Sequence, residues 1–387
     1  MYVTQEPTDR GMLVPSPLAW QSIPTRRQPW RWLITPLVLA VAVFVVLQTI
    51  TVNYYEILPG EALPVDGPQG AVTLGSVHAG TGDIFLATVF LQSRITEWER
   101  LTDFLHPDDD IVPAASITGG ETQATYNQQN AEDMSASQEY ARVAALRRLG
   151  YTVVEEGDGA LVDAVGPYDP AASHLRQGDV ITSVNGHPVH TAADLIGVTV
   201  AGQPGELLHL VVQRPGRPSA TTLQVTVGTV ACGDQDCPND PDHPITGIAV
   251  ETDNQSFVFP KDAPALAITT NNIGGPSAGL AFTLGAIDAL TTHDITGGQR
   301  VAATGTIDPD GNVGDVGGVA QKTIAVEEQH CAYFIVPEDE AATAMAMAHG
   351  KLKVIPVTTL EQALIFLRSI GGDLSGIPEP PPPLPPE

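Results

Sequence analysis

A chain of 387 residues is long enough for two or three domains, and a hydrophobic content of 43% excludes a wholly disordered polymer. Against 18 Lys and Arg stand 45 Asp and Glu, a formal net charge of -27. Such a surface repels a phosphate backbone and excludes nucleic acid as a primary partner.

Residues 1–32 read as a cytoplasmic tail, with Arg10, Arg26, Arg27 and Arg31 against only Glu6 and Asp9. From Trp32 to Tyr55 no residue is charged, and the apolar centre 33–50 is long enough to span hydrocarbon as one helix. The next charges are Glu56 and Glu61, and the next basic residue is Arg94. The positive-inside rule therefore expects a single-pass cell-membrane protein, N-terminus cytoplasmic, with the remainder extracytoplasmic. Trp30 and Trp32 on one side and Tyr54 and Tyr55 on the other fit interfacial belts. The alternatives are a buried core helix, which is rarely this long, or a cleaved signal peptide, for which a small-residue cleavage site is missing.

Residues 51–149 read as a juxtamembrane region. Strand-like runs, Ala71–Leu74 and Asp83–Leu91, alternate with polar stretches such as Asp108–Asp110, and no chemistry is assigned to them. Within 131–149, Met134, Tyr140, Val143, Ala144 and Leu146 recur at helical spacing with Gly150 as the stop, which predicts a packing or connecting helix.

Residues 150–228 change to short strands broken by turns. The runs Gly159–Val165, Leu175-Arg-Gln-Gly-Asp-Val-Ile-Thr-Ser-Val-Asn-Gly186 and Gly205–Arg214 resemble a PDZ domain. The resemblance implies a mainly β domain whose sheet edge and helix take a peptide end as an added strand. It also implies that the amides of Leu149, Gly150 and Tyr151 face the peptide carboxylate; the alternative is a domain that packs on its neighbours and binds nothing. Residues 229–244 form an acidic linker, in which Cys232 and Cys237 could close a small disulfide loop in an oxidising compartment. A second Cys pair for zinc is missing, and no metal is expected. Cys331, in an apolar run, reads as a buried strand residue.

Residues 245–370 alternate strands (247–251, 263–269, 300–306, 333–337, 352–356) with helices near 276–290, 318–329, 338–348 and 359–369, an α/β layered pattern. Residues 371–387 read as an exposed Pro-rich tail. In Gly274-Gly-Pro-Ser-Ala-Gly279, Pro276 suits the first helical position and Ser277 the first turn, where free N–H groups face any developing anion. A serine needs a base. The ten histidines form no recognisable Ser/His/Asp framework, whereas Lys322, one of four lysines, follows a Gly-Gly turn into an apolar helix, where burial and the helix dipole lower its pKa.

Gly275-Pro-Ser-Ala-Gly279, Ala303-Thr-Gly-Thr306 and Gly317-Gly-Val-Ala-Gln-Lys322 resemble the proteolytic domain of the Lon family. That resemblance implies Ser277 as nucleophile, Lys322 as general base and Thr304 as its support, with Gly275, Pro276 and Ala278 shaping the serine turn; Thr306 stands where the family commonly has an acidic residue. The whole order is similar to membrane-anchored, PDZ-containing Lon-like proteases of Gram-positive bacteria. The expected fold is an α/β (α+β) Lon-type proteolytic domain preceded by a mainly β PDZ domain and one transmembrane helix. The expected function is an ATP-independent serine endopeptidase acting on flexible or unfolded proteins, since no Gly-x-x-x-x-Gly-Lys-Ser/Thr loop occurs in the sequence. No cofactor is expected, and the family implies a homo-oligomeric ring. The alternative is a PDZ adaptor whose Lon-like domain is inactive.

Overall fold

The computed structural model describes residues 31–379 apart from 75–76, 79–82, 103–104, 106–108, 217–220, 234–240, 271–272, 292 and 351. It begins with helix α1 (Arg31–Thr49) of 19 residues. At ~1.5 Å per residue this reaches about 28 Å, short of a ~30 Å hydrocarbon core. Among the described residues no helix is long and apolar enough to cross a membrane, so the span expected over 33–50 is not borne out in the fold. The end of α1 packs on a short helix (Glu97–Thr102), with Phe44 and Trp98 edge to face at 4.7 Å.

Strands β1 (Tyr54–Pro64), β2 (Ile84–Ser93) and β3 (Asp110–Pro113) follow, then the long helix α2 (Gln123–Arg148), capped by the Thr122 side chain. Next come β4 (Gly159–Val165), β5 (Val180–Val184), α3 (Ala192–Val200), β6 (Leu207–Arg214), β7 (Thr221–Gly228) and β8 (Ile248–Asp253). The remainder alternates: α4 (Gly279–Leu290), β9 (Val301–Ala303), α5 (Val319–Glu328), β10 (Tyr333–Pro337), α6 (Ala341–Met347), β11 (Lys353–Val357) and α7 (Leu360–Ser369).

One six-stranded sheet runs β11-β10-β9-β2-β1-β3. Its β2, β9, β10 and β11 are mutually parallel, and such pairs need crossovers, which α5 and α6 supply for β9-β10 and β10-β11. β1 lies antiparallel to β2 and β3. The stretch 51–149, read from the sequence as a juxtamembrane region, supplies half of the sheet that residues 301–357 complete. Val65, Ile84, Leu86 and Met134 share one buried core with Leu280, Leu284, Val301 and Leu364. Burying each such side chain is worth about 2 kcal/mol. These contacts are non-local, and that is why a pattern read along the chain assigned the region no role.

The segment resembling a PDZ domain is inserted between α2 and α4 and has its own core, with Val162, Ile181, Val184, Leu195, Leu210 and Val212. Its sheet runs β7-β6-β5-β4-β8. The edge strand β8 pairs antiparallel with β4, so a strand from the stretch assigned to 245–370 completes this domain. Asn254 then turns the chain at φ 51, and Ser256–Val258 pairs with Val154–Glu156 to close the neck of the insertion.

The tail is not extended from 371. Leu374 and Ile377 are buried, Gly372 N–H donates to the Leu367 carbonyl and Asp373 N–H to that of Asp294. Residues 380–387 lie outside the described residues, as do 1–30. Cys232 is disulfide-bonded, whereas Cys237 lies outside the described residues. Cys331 is free and buried, and burial pushes its thiol up to about 11.

Candidate active site

Ser277 lies in a single 3-10 turn, Pro276–Ala278, that runs directly into α4. Two elements hold this turn. From α2, the Ser137 hydroxyl donates to the Pro276 carbonyl at 3.0 Å, and the Asn130 carbonyl accepts from Gly275 N–H at 3.1 Å. From the loop after β9, Gly305 N–H donates to the Ser277 carbonyl at 2.9 Å and the Gly305 carbonyl accepts from Leu280 N–H at 3.1 Å. The turn places the serine at a helix start, where backbone N–H groups lack intrahelical partners and can face an anion.

Lys322 lies in the first turn of α5, which begins at Gly318 in the left-handed conformation (φ 66). A Cβ at Gly318 would sit 3.0 Å from Val89 Cγ1, so both the turn and the close seat of α5 on β2 need glycine. Lys322 is only 2% exposed. Burial lowers its pKa from 10.5 to about 8, against the opposing pull of Glu340. The positive end of α5 favours the neutral amine as well.

Thr304 joins the two. It is fully buried, its N–H donates to the Ile335 carbonyl, its hydroxyl donates to the Ser277 carbonyl at 3.1 Å, and its oxygen accepts from Lys322 Nζ at 3.1 Å. Ser277 and Lys322 line one cavity of about 290 Å³, walled by Leu63, Leu86, Phe90, Met134 and Ile273. The arrangement puts a hydroxyl and a buried amine of lowered pKa on one cleft, where the neutral amine can take the hydroxyl proton. Thr304→Val keeps the shape but removes both side-chain hydrogen bonds; kcat is expected to fall on the order of 10- to 100-fold with KM little changed, read from steady-state cleavage of a flexible protein.

Comparison with known proteins bears on this site. Residues 148–226 match the family model for the PDZ domain, and residues 262–367 match that for the Lon protease (S16) C-terminal proteolytic domain. The chain carries a PDZ domain and a Lon-type proteolytic domain. The latter is the domain of a serine peptidase. A Lon protease of Chloroflexus aggregans is 32% identical over 92 residues, 23% of this chain and 11% of that protein. A probable periplasmic serine endoprotease DegP-like of Pseudomonas fulva is 42% identical over 84 residues, 21% of this chain and 17% of that protein. The chain therefore spans less than a fifth of either curated relative. Solved PDZ domains of SdrC-like proteins from Listeria monocytogenes and Listeria innocua, 22% and 20% identical, cover 24% of this chain and 87% and 93% of their own, each with a TM-score of 0.21.

The Lon-type match begins at residue 262, yet β1, β2 and α2, all N-terminal to it, supply the cleft wall and the clamp on Pro276. Sequence reasoning missed Ser137 and Asn130; the helical spacing that located α2 carries no record of which polar residues meet the serine turn. The amides of Leu149, Gly150 and Tyr151, expected to meet a peptide carboxylate, are engaged at the end of α2. Their N–H groups donate to Ala145, Arg147 and Leu146 carbonyls and cap α2, since the helix must satisfy its last carbonyls. The sheet edge next to α3 is β8, where Ala192 N–H donates to Thr252 Oγ1 at 3.0 Å.

Proposed function

We propose that the chain is an ATP-independent endopeptidase in which Ser277 is the nucleophile and Lys322 the general base. The observation that carries this reading is the buried Lys322 amine, held by Thr304 in the cavity that Ser277 also lines. Neutral Lys322 takes the Ser277 hydroxyl proton as Oγ attacks the substrate carbonyl. The resulting ammonium protonates the leaving amine, and the acyl-enzyme is hydrolysed by water activated by the same lysine. First-turn N–H groups at Ser277 stabilise the oxyanion. Because the base must be neutral, kcat/KM is expected to rise about tenfold per pH unit below about 8 and to level off above it. The test is incubation of the full chain with casein, with and without ATP, across pH 6–10. ATP-independent fragments with that profile support the reading; a profile flat across pH 6–10 sinks Lys322 as the base.

The PDZ domain is proposed to hold extended peptide ends on the open edge of β8. Ile196 and Val200 lie one helical turn apart on α3, the helix whose first residue donates to β8, and both are exposed. Location at the extracytoplasmic face of a membrane is proposed from the uncharged run 32–55 and the exposed apolar side chains of α1, Leu37 and Leu39 among them. Retention in the pellet after alkaline carbonate extraction supports that placement, and release into the supernatant overturns it. Assembly into a homo-oligomeric ring is part of the same proposal and rests on family resemblance.

A further inference from the structure

The cleft wall contains a feature that hydrolysis itself does not use. β1 and β2 pair Pro59 with Val89 and then Ala62 with Ala87, so Gly60 and Glu61 together face Thr88. This is a β-bulge, a device that re-aims a side chain beside a site. Thr88 Oγ1 accepts from Glu61 N–H at 2.9 Å and donates to the Glu61 carbonyl at 2.9 Å, which clamps the residue on both sides. The clamp requires glycine at 60, since a Cβ there would lie 2.4 Å from Thr88 Oγ1. The bulge thereby fixes the backbone of Glu61, an exposed acidic residue on the lining of the cavity that contains Ser277 and Lys322. The neighbouring wall residues Leu63, Leu86 and Met134 are apolar, and Lys322 lies almost fully buried. Among the described residues, Glu61 is then the charge this cleft presents to an entering chain.

We propose that Glu61 is a specificity-determining residue that receives the cationic side chain of a Lys or Arg in the substrate, adjacent to a residue whose apolar side chain fills the Leu63, Leu86 and Met134 pocket. The substrate class is an extended segment with a basic residue flanking an apolar one. The proposal rests on the hydrolytic reading above. A cation at the cleft rim gains a charge-assisted contact, and the net charge of -27 draws basic segments in over longer range while repelling acidic ones.

The test uses the full chain and three flexible peptides that share one apolar residue and differ only in its neighbour: Lys, Gln or Glu. Fragments are read by mass spectrometry and compared as kcat/KM ratios. The expected result is a Lys-over-Gln preference on the order of tenfold at low salt, with Glu poorer than Gln. The preference should collapse towards unity in Glu61→Gln, survive in part in Glu61→Asp and invert in Glu61→Lys. Each ratio is internal to one enzyme, so a variant of low yield still reports it. Equal cleavage of the three peptides by the native chain, or an intact Lys preference in Glu61→Gln, overturns the role of Glu61 alone. Absence of any cleavage by the native chain removes the hydrolytic reading, and this one with it.

Discussion

Replacing Ser277 by alanine is expected to lower cleavage of a flexible protein by at least ~10⁴-fold while leaving the fold in place. The contacts that organise the turn run through the Ser277 carbonyl, which accepts from Thr304 Oγ1 and Gly305 N–H, and through the carbonyl of Pro276, which accepts from Ser137 Oγ. None of these uses the Ser277 hydroxyl. Its loss from a half-buried position should therefore change stability by less than about 1 kcal/mol. Unfolding in denaturant checks the second half of this expectation, and residual cleavage by the variant would mean that another side chain supplies the nucleophile.

Lys322→Met is expected to abolish cleavage and, at the same time, to stabilise the protein. Folding moves the lysine from a pKa of 10.5 to about 8 because the charged form loses its water. The unfolded chain thus binds a proton that the folded chain does not hold between pH 8 and 10.5, so native stability rises with pH through that window. Below pH 8 the whole penalty persists, about 3 kcal/mol for a shift of this size. Methionine has similar length and no charge to desolvate; after the loss of the hydrogen bond to Thr304, worth about 1 kcal/mol, a net gain of about 2 kcal/mol remains at pH 7. The variant should also lose the rise in stability between pH 8 and 10.5. Denaturant unfolding at pH 7 and pH 10 measures both effects. A variant less stable than the native chain at pH 7 would mean that the buried amine is a net structural asset, and the desolvation account of its basicity would fail.

The two stretches that carry the chemistry were legible because each is local. Gly275-Pro-Ser-Ala-Gly279 specifies a turn into a helix, and Gly317-Gly-Val-Ala-Gln-Lys322 specifies a left-handed helix start with a lysine in its first turn. The helices expected near 318–329 and 359–369 form as Val319–Glu328 and Leu360–Ser369, where apolar periodicity and end signals agree. The PDZ core run 175–186 is similarly self-contained, holding a turn, a strand that buries Ile181 and Val184, and Asn185 at φ 50.

What lay beyond the sequence shares one cause: the partner is distant along the chain. Nothing in residues 84–93 announces that they pair with 54–64 on one side and 301–303 on the other, and so wall the cleft. Ser137 looks like any polar residue on a helix until folding brings it 3.0 Å from the Pro276 carbonyl, across 139 positions. Residues 248–253, read with the segment 245–370, pair at the edge of the PDZ sheet, because strand pairing depends on which edge is open, a property of the assembled sheet. By itself, then, the sequence determined the reactive residue types, the acidic surface and the order of local elements, all of which short-range sterics and composition dictate. Only the tertiary structure decided that Thr304 joins Ser277 to Lys322, that the lysine is dry enough to be a base near pH 8, and that a bulge turns Glu61 onto the same cleft. Those outcomes depend on burial and on packing between remote segments, and both exist only once the chain has folded.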